Sequence, residues 1–221
     1  MPRYKFGKIE RTIDLEILRK LMDRVLLVDR SGYPVEFIQA LIALYYWTGL
    51  RVSEVIGGLP HKYIRRPKDK PAYVCYTVRF PPLVKEQMWI DEEKLNVEHY
   101  VPMLHVRQVA RKHGHREAPL QIPLSLPYVN LIVDRWRATE PGKPLFPISS
   151  PTWWRIIKRI DPKLYTHFFV LNRLTKQAED PDVSLKDQED WSGKSPATIA
   201  RYRAHAGRET AKTGARMLHE K

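Results

Sequence analysis

The chain has 221 residues, of which 43% are apolar, so it can fill a genuine hydrophobic core, and intrinsic disorder is excluded as its overall state. Thirty-eight lysines and arginines against 25 acids leave a net charge of +13, which attracts polyanions, nucleic acid foremost. A single cysteine, Cys75, excludes an internal disulfide framework and a cysteine-rich metal site. No apolar run approaches the ~20 residues that span a bilayer, and no signal-type apolar core follows the charged start "MPRYKFGKIER". A soluble, cytoplasmic protein without a membrane partner is therefore expected.

In chain order, the spacing of Leu15, Ile17, Leu18, Leu21, Met22, Val25 and Leu26 predicts a helix over Ile13 to Leu27, broken by "DRSGYP". The nearly all-apolar stretch from Val35 to Tyr46 predicts a buried helix ended by Thr48 and Gly49, and "RVSEVIGGLP" a short helix closed by two glycines and a proline. "HKYIRRPKDK" reads as a basic loop. "AYVCYTVRF", "MLHVRQVAR" and "APLQIPL" read as strands, the last two joined by a turn crowded with cations, "KHGHRE". Helices are predicted again at about 127 to 138, 151 to 159, 162 to 179, 182 to 191, 195 to 204 and 207 to 219. The prolines at 127, 151, 162, 181 and 196 fall where first-turn prolines belong. The order of helices, small sheet, then helices predicts one mostly α domain with a small antiparallel β-sheet insert, an α+β fold. Its parts would be an N-terminal helix within 1–30, a sheet within 73–124, a helical part at 127–205 and a tail helix at 206–221.

Several polar residues sit at joints rather than on helix faces. Arg51 opens a helix, where the partial positive charge of the N-terminus disfavours an arginine, and Glu54 lies one turn on. Lys112 sits at the hairpin tip, His167 near a helix start, and Tyr202 near the end of "SPATIARYR". A phosphodiester reaction without metal needs cations for a pentacoordinate phosphorus, an acid for the leaving oxygen and a nucleophile, and these four residues supply each part. Each also has a plainer reading: an ion pair with Glu54 for Arg51, a solvated charge for Lys112 with Arg111 and Arg116 as rivals, a satisfied histidine for His167, and an interface or core ring for Tyr202. Trp153 and Trp154 read either as stacking platforms for bases or as packing, and Trp191 as core. His113, His115 and Lys112 lie too close together, without carboxylate or thiolate at ligand spacing, to make a zinc site.

These stretches carry a resemblance. "ALYYWTGLRVSEV" resembles the first arginine box of the tyrosine recombinase (phage-type integrase) family, and "RKHGHREAPLQIPL" is similar to its lysine-bearing β-hairpin. "THFFVLNRLTKQAEDPDVSLKDQEDWSGKSPATIARY" resembles its closing stretch, with a His-x-x-Arg box, a Gly-His box and a nucleophilic tyrosine in order. The likeness spans roughly residues 10 to 205 and implies the family's catalytic-domain fold, without the separate N-terminal core-binding domain. It implies attack on a scissile phosphate by Tyr202 to give a 3′-phosphotyrosyl-DNA intermediate, with Arg51 on the non-bridging oxygens, Lys112 protonating the 5′ leaving oxygen, and no cofactor, metal or small-molecule substrate. Two positions depart from the pattern: Val170 stands at the second arginine, and Gly193 at the second histidine, beside Lys194, which a one-residue shift would bring to the phosphate. Val170 marks either a naturally degenerate relative or a deliberately impaired enzyme.

The implied partner is double-stranded DNA, clasped by Arg65 and Arg66, by Arg111, His113, His115 and Arg116, and by Arg173, Arg201 and Arg203. The implied assembly is a homotetramer on DNA, with a monomer or weak dimer in solution. The resemblance thus points to DNA integration by a viral or plasmid-type site-specific recombinase from a prokaryote. The rival expectation is a catalytically inactive DNA-binding protein that keeps the fold.

Overall fold

A computed structural model describes residues 15–28, 32–58, 62–65, 71–76, 81–94, 100–107, 119–162, 164, 168–179, 184, 186 and 199–200. Helix α1, Leu15–Val28, buries Leu18, Leu21, Met22 and Val25, the i, i+3, i+4, i+7 stripe expected of an amphipathic helix. Leu15 and Leu26, read from the sequence as part of that stripe, are instead exposed, and Glu16 and Lys20 pair across one turn at 2.6 Å.

Helix α2, Val35–Thr48, is buried along almost its whole length and packs against α1 and against several later elements, so it forms the centre of the core. It stops because Gly49 adopts the left-handed conformation, φ 60°, with its N–H bonded to the Tyr45 carbonyl at 2.8 Å. A side chain with a Cβ rarely takes that φ, which is why glycine ends the helix. The four-residue helix α3, Val52–Val55, follows at once.

Lys62–Arg65 (β1) and Tyr73–Tyr76 (β2) form an antiparallel pair. The first of these lies within the stretch expected to be a basic loop, so part of "HKYIRRPKDK" is strand. After a single 3-10 turn, Lys85–Gln87, strands β3 (Met88–Lys94), β4 (Tyr100–Val106) and β5 (Leu120–Pro123) build an antiparallel sheet in that order. β3 is not legible in the sequence because "MWIDEEK" ends in consecutive charges. Seven register pairs with β4, from Met88↔Val106 to Lys94↔Tyr100, make it a strand, an instance of pairing outweighing intrinsic preference.

Helices α4 (Val129–Ala138), α5 (Ser150–Ile160) and α6 (Phe168–Glu179) complete the described elements. Of the first-turn prolines expected, Pro151 stands in the first turn of α5. Pro127 instead precedes the Tyr128 N-cap of α4. Pro162 lies in a turn rather than in a helix running from 162: the Asp161 N–H still bonds the Ile157 carbonyl, ending α5, and the Leu164 N–H bonds the Asp161 carbonyl at 3.0 Å. Neither Pro162 nor Leu164 is helical, and the described part of α6 is Phe168–Glu179. Residues 199 and 200 are helical, with Ile199 fully buried. The helices expected at 182–191 and 207–219 and the prolines at 181 and 196 lie outside the described elements. The fold is thus mostly helical with a small antiparallel sheet, as the α+β expectation had it.

The sheet is fastened to α4. Lys85 Nζ donates to the carbonyls of Arg137 (3.1 Å) and Thr139 (2.7 Å), which end that helix, and Trp136 Nε1 donates back to the Lys85 carbonyl at 3.0 Å. The Leu145 N–H bonds the Leu83 carbonyl at 2.8 Å, and Gly142 N–H bonds Glu86 Oε1 at 2.7 Å. Helix-ending carbonyls lack intrahelical donors, and the lysine satisfies two of them.

Candidate active site

The turn at Gly49 directs Leu50 inward, 3% exposed, and leaves Arg51 extended (φ −73°, ψ 153°) as the residue before α3. Glu54 answers why an arginine tolerates that position. Its carboxylate accepts the Arg51 backbone N–H at 2.6 Å and the guanidinium Nη1 at 3.0 Å, closing half of a capping box and pairing the charge. The carboxylate also suits the helix N-terminus that the arginine does not. Glu54 is nearly buried, 7% exposed at the side chain, and Arg51 is 32% exposed. The ion-pair reading of Arg51 therefore holds. It leaves most of the five guanidinium donors to an outside acceptor, because Glu54 engages one of them among the described residues.

Behind Arg51 stands Tyr45, 1% exposed. Its hydroxyl donates to the Val52 carbonyl at 3.4 Å, and its ring lies 5.5 Å from Trp153 of α5 and 6.0 Å from Phe169 of α6, stacked on the latter at 20°. Burial first, and the Glu54 carboxylate second, push the Tyr45 hydroxyl well above the ordinary tyrosine pKa, so this ring stays neutral and is a structural post rather than a nucleophile. Through it the first turn of α6, one residue after His167, meets the α2–α3 joint. Two stretches some 115 positions apart, the arginine box and the "THFFV" stretch, converge there.

Val170, at the second-arginine position, is 5% exposed beside Phe169 at 1%. The side chain at that position points into packing, not toward solvent. Arg173, one turn on, is partly buried and engaged in interactions of its own. Arg65 ends β1. Lys112, His167, Gly193, Lys194 and Tyr202, and likewise Arg66, Arg111, His113, His115, Arg116, Arg201 and Arg203, lie outside the described residues.

The sheet nevertheless bears on the hairpin. β4 and β5 pair antiparallel up to Val106↔Leu120, so the segment carrying Lys112 leaves and re-enters the sheet at adjacent positions. At its root Arg107, exposed, bonds the Gln87 carbonyl through its N–H at 2.7 Å and holds its guanidinium 5.1 Å from the Trp89 ring. Trp89 in turn stacks on buried His105 at 4.9 Å and 8°. The sequence reading missed this arginine. A basic residue just past a strand and diagonal to a cross-strand tryptophan would have been the signal, had β3 been recognised.

α5 separates the tryptophan pair. Trp153 is fully buried on Tyr45, whereas Trp154 is 48% exposed. Among the described residues no three His, Cys, Asp or Glu side chains gather in a way that could hold a metal ion, and no helix is long and apolar enough to cross a membrane. No family model matches the chain, and no curated protein sequence matches it.

Proposed function

We propose that this chain is the catalytic domain of a tyrosine recombinase that cuts and rejoins duplex DNA, in a form impaired at Val170. The observation that carries the reading is the convergence on Tyr45: the part-exposed, carboxylate-braced Arg51 and the first turn of α6 meet around one buried ring. A guanidinium held by a buried carboxylate is pre-oriented, and pre-oriented donors stabilise developing phosphorane charge without reorganising. In the reaction the Tyr202 oxygen attacks phosphorus and loses its proton to His167 or water. The P–O5′ bond then breaks, and the 5′ oxygen takes a proton from Lys112. Arg51, with Lys194, balances charge on the non-bridging oxygens. The proposal includes a tetramer on paired sites, integration of viral or plasmid DNA, and action in the cytoplasm on prokaryotic or host DNA.

A second reading is favoured by one observation. Val170 is 5% exposed, so the position where the family carries a phosphate-binding arginine is packed here as core, which suits a DNA-binding protein that keeps the fold without turnover. Losing one donor to developing charge costs on the order of 10²–10³-fold in rate.

The test is incubation with a nicked duplex that traps the covalent intermediate, followed by denaturing gels, for this chain, Arg51→Ala, Tyr202→Phe and Val170→Arg. An adduct formed by this chain and abolished in Tyr202→Phe and Arg51→Ala is the expected result. Adduct with Val170→Arg alone keeps the site and assigns the impairment to Val170. Tight duplex binding with no adduct in any variant transfers the conclusion to the non-catalytic reading.

A further inference from the structure

The described residues that the proposed chemistry does not use include the outer face of α5. At about 100° per residue, Trp153, Ile156, Ile157 and Ile160 share one side of this helix, and all four are buried. Trp154, Arg155, Lys158 and Arg159 take the other side; Trp154, Arg155 and Arg159 are exposed and Lys158 partly so. α5 contains no acid at all, and the first carboxylate after it, Asp161, is bound by Arg24 of α1 at 3.3 Å. Among the described residues Arg155 and Lys158 meet neutral acceptors: Arg155 donates to the Pro151 carbonyl (3.4 Å) and Thr152 Oγ1 (3.3 Å), and Lys158 to the Pro162 carbonyl (2.6 Å). Lys158 Nζ also stands 6.0 Å from the centre of the Trp154 ring. Three charges without an acidic partner among the described residues therefore surround a half-exposed indole on a helix whose inner side is anchored in the core.

We infer that this face docks the sugar–phosphate backbone of duplex DNA, the cations meeting phosphates and the Trp154 ring lying against a sugar. Charge complementarity selects the partner. A lipid surface would need an outward apolar face, and α5 commits its large apolar side chains to the core, Trp154 excepted. A neutral protein surface would desolvate three cations with nothing to pair them. A single strand binds along several aromatic platforms, and α5 presents one. A rigid helix instead holds its charges in a fixed array, which suits the regular backbone of a duplex. The inference rests on the proposed function only for the identity of the polymer.

The test compares the full chain, in a Tyr202→Phe background so that no strand is cut, with a variant carrying Arg155→Gln, Lys158→Gln and Arg159→Gln, and with Trp154→Ala. Fluorescence anisotropy on a short labelled duplex is followed over salt, with vesicles of phosphatidylserine and phosphatidylcholine as the competing surface. Each phosphate contact contributes about 0.9 to the slope of log affinity against log salt, so the triple variant should lose about 2 to 3 units of slope. Trp154→Ala should weaken binding about threefold to tenfold at unchanged slope, since it removes no charge. Both variants should melt with the parent. A triple variant that keeps the parental slope overturns the inference, as does a parent that binds the vesicles and ignores the duplex. Because binding is read without cleavage, failure to form any covalent adduct leaves this outcome unaffected. An adduct that forms while the slope is unmoved removes the α5 surface alone.

Discussion

Arg51 and the cations of α5 differ in what holds them. Arg51 is tied twice to one nearly buried carboxylate, at 2.6 Å through its backbone and at 3.0 Å through its guanidinium, and is about one-third exposed. Arg155, Lys158 and Arg159 rest on neutral oxygens or stand open to solvent, with no acid on their helix. A braced charge has one orientation and can discriminate between a ground state and a transition state. An unbraced array adapts to whatever phosphates arrive and supplies affinity. The two regions share a foundation, because Trp153 on the inner side of α5 packs against Tyr45, which backs the Arg51 joint.

The sharpest way to break the comparison lies within α5 itself. Trp153→Ala should cost about 3–5 kcal/mol, as removal of a fully buried aromatic does, while Trp154→Ala should change stability by less than about 0.5 kcal/mol. Thermal or urea unfolding reads both, at about 2–4 °C per kcal/mol for a chain of this size. Equal losses would mean that the two rings do not face opposite ways.

Next in size is Glu54→Gln, which keeps a cap acceptor but removes the charge bracing Arg51. A charged hydrogen bond is worth about 1.5–3 kcal/mol and the amide restores part of it, so a loss of about 1–2 kcal/mol is expected. Adduct formation should fall with it while duplex affinity stays within severalfold of the parent. An unchanged melting temperature would show that the carboxylate does not hold the joint together.

The smallest effect appears at high pH. The Tyr45 hydroxyl ionises at higher pH in the folded chain than in the unfolded one, because of burial first and Glu54 second. The stability this contributes is fully present below the unfolded tyrosine pKa of about 10. It is lost as pH rises from there through the folded value, because the unfolded chain releases the proton first. Tyr45→Phe should flatten that part of the alkaline decline at little cost near neutrality, where it gives up one long hydrogen bond. An identical alkaline decline in both proteins would rule Tyr45 out as its source.

Local pattern made α1, α2 and α3 legible: a 3.6-residue stripe, an apolar run, and Gly49 as a stop. Elements that depend on a distant partner were not. β3 needs β4 to become a strand, and "KYIR" needs β2. The beginning of α6 was set too early because its sequence conceals the turn bonded at Asp161 and Leu164. The same division runs through the site. The arginine box announced Arg51 and offered Glu54 as its partner, whereas neither the burial of Val170 nor the divergence of Trp153 from Trp154 follows from spacing, since both depend on which side of a helix meets Tyr45. Lys112, His167, Lys194 and Tyr202 rest on motif order alone.

The fastening of Lys85 to the end of α4 has a consequence for how the chain reaches this fold. Its bonds join residues 51 to 54 positions apart, and closing a loop of that length carries an entropic cost on the order of 3–4 kcal/mol before any contact offsets it. The hairpins and helices satisfy themselves locally and can form early, but the seam between sheet and α4 has to wait until both sides exist. Docking at that seam is a natural slow phase of folding. A chain halted just before it would have native-like secondary structure on each side and an exposed, unsealed face between them, the species in which aggregation competes with completion.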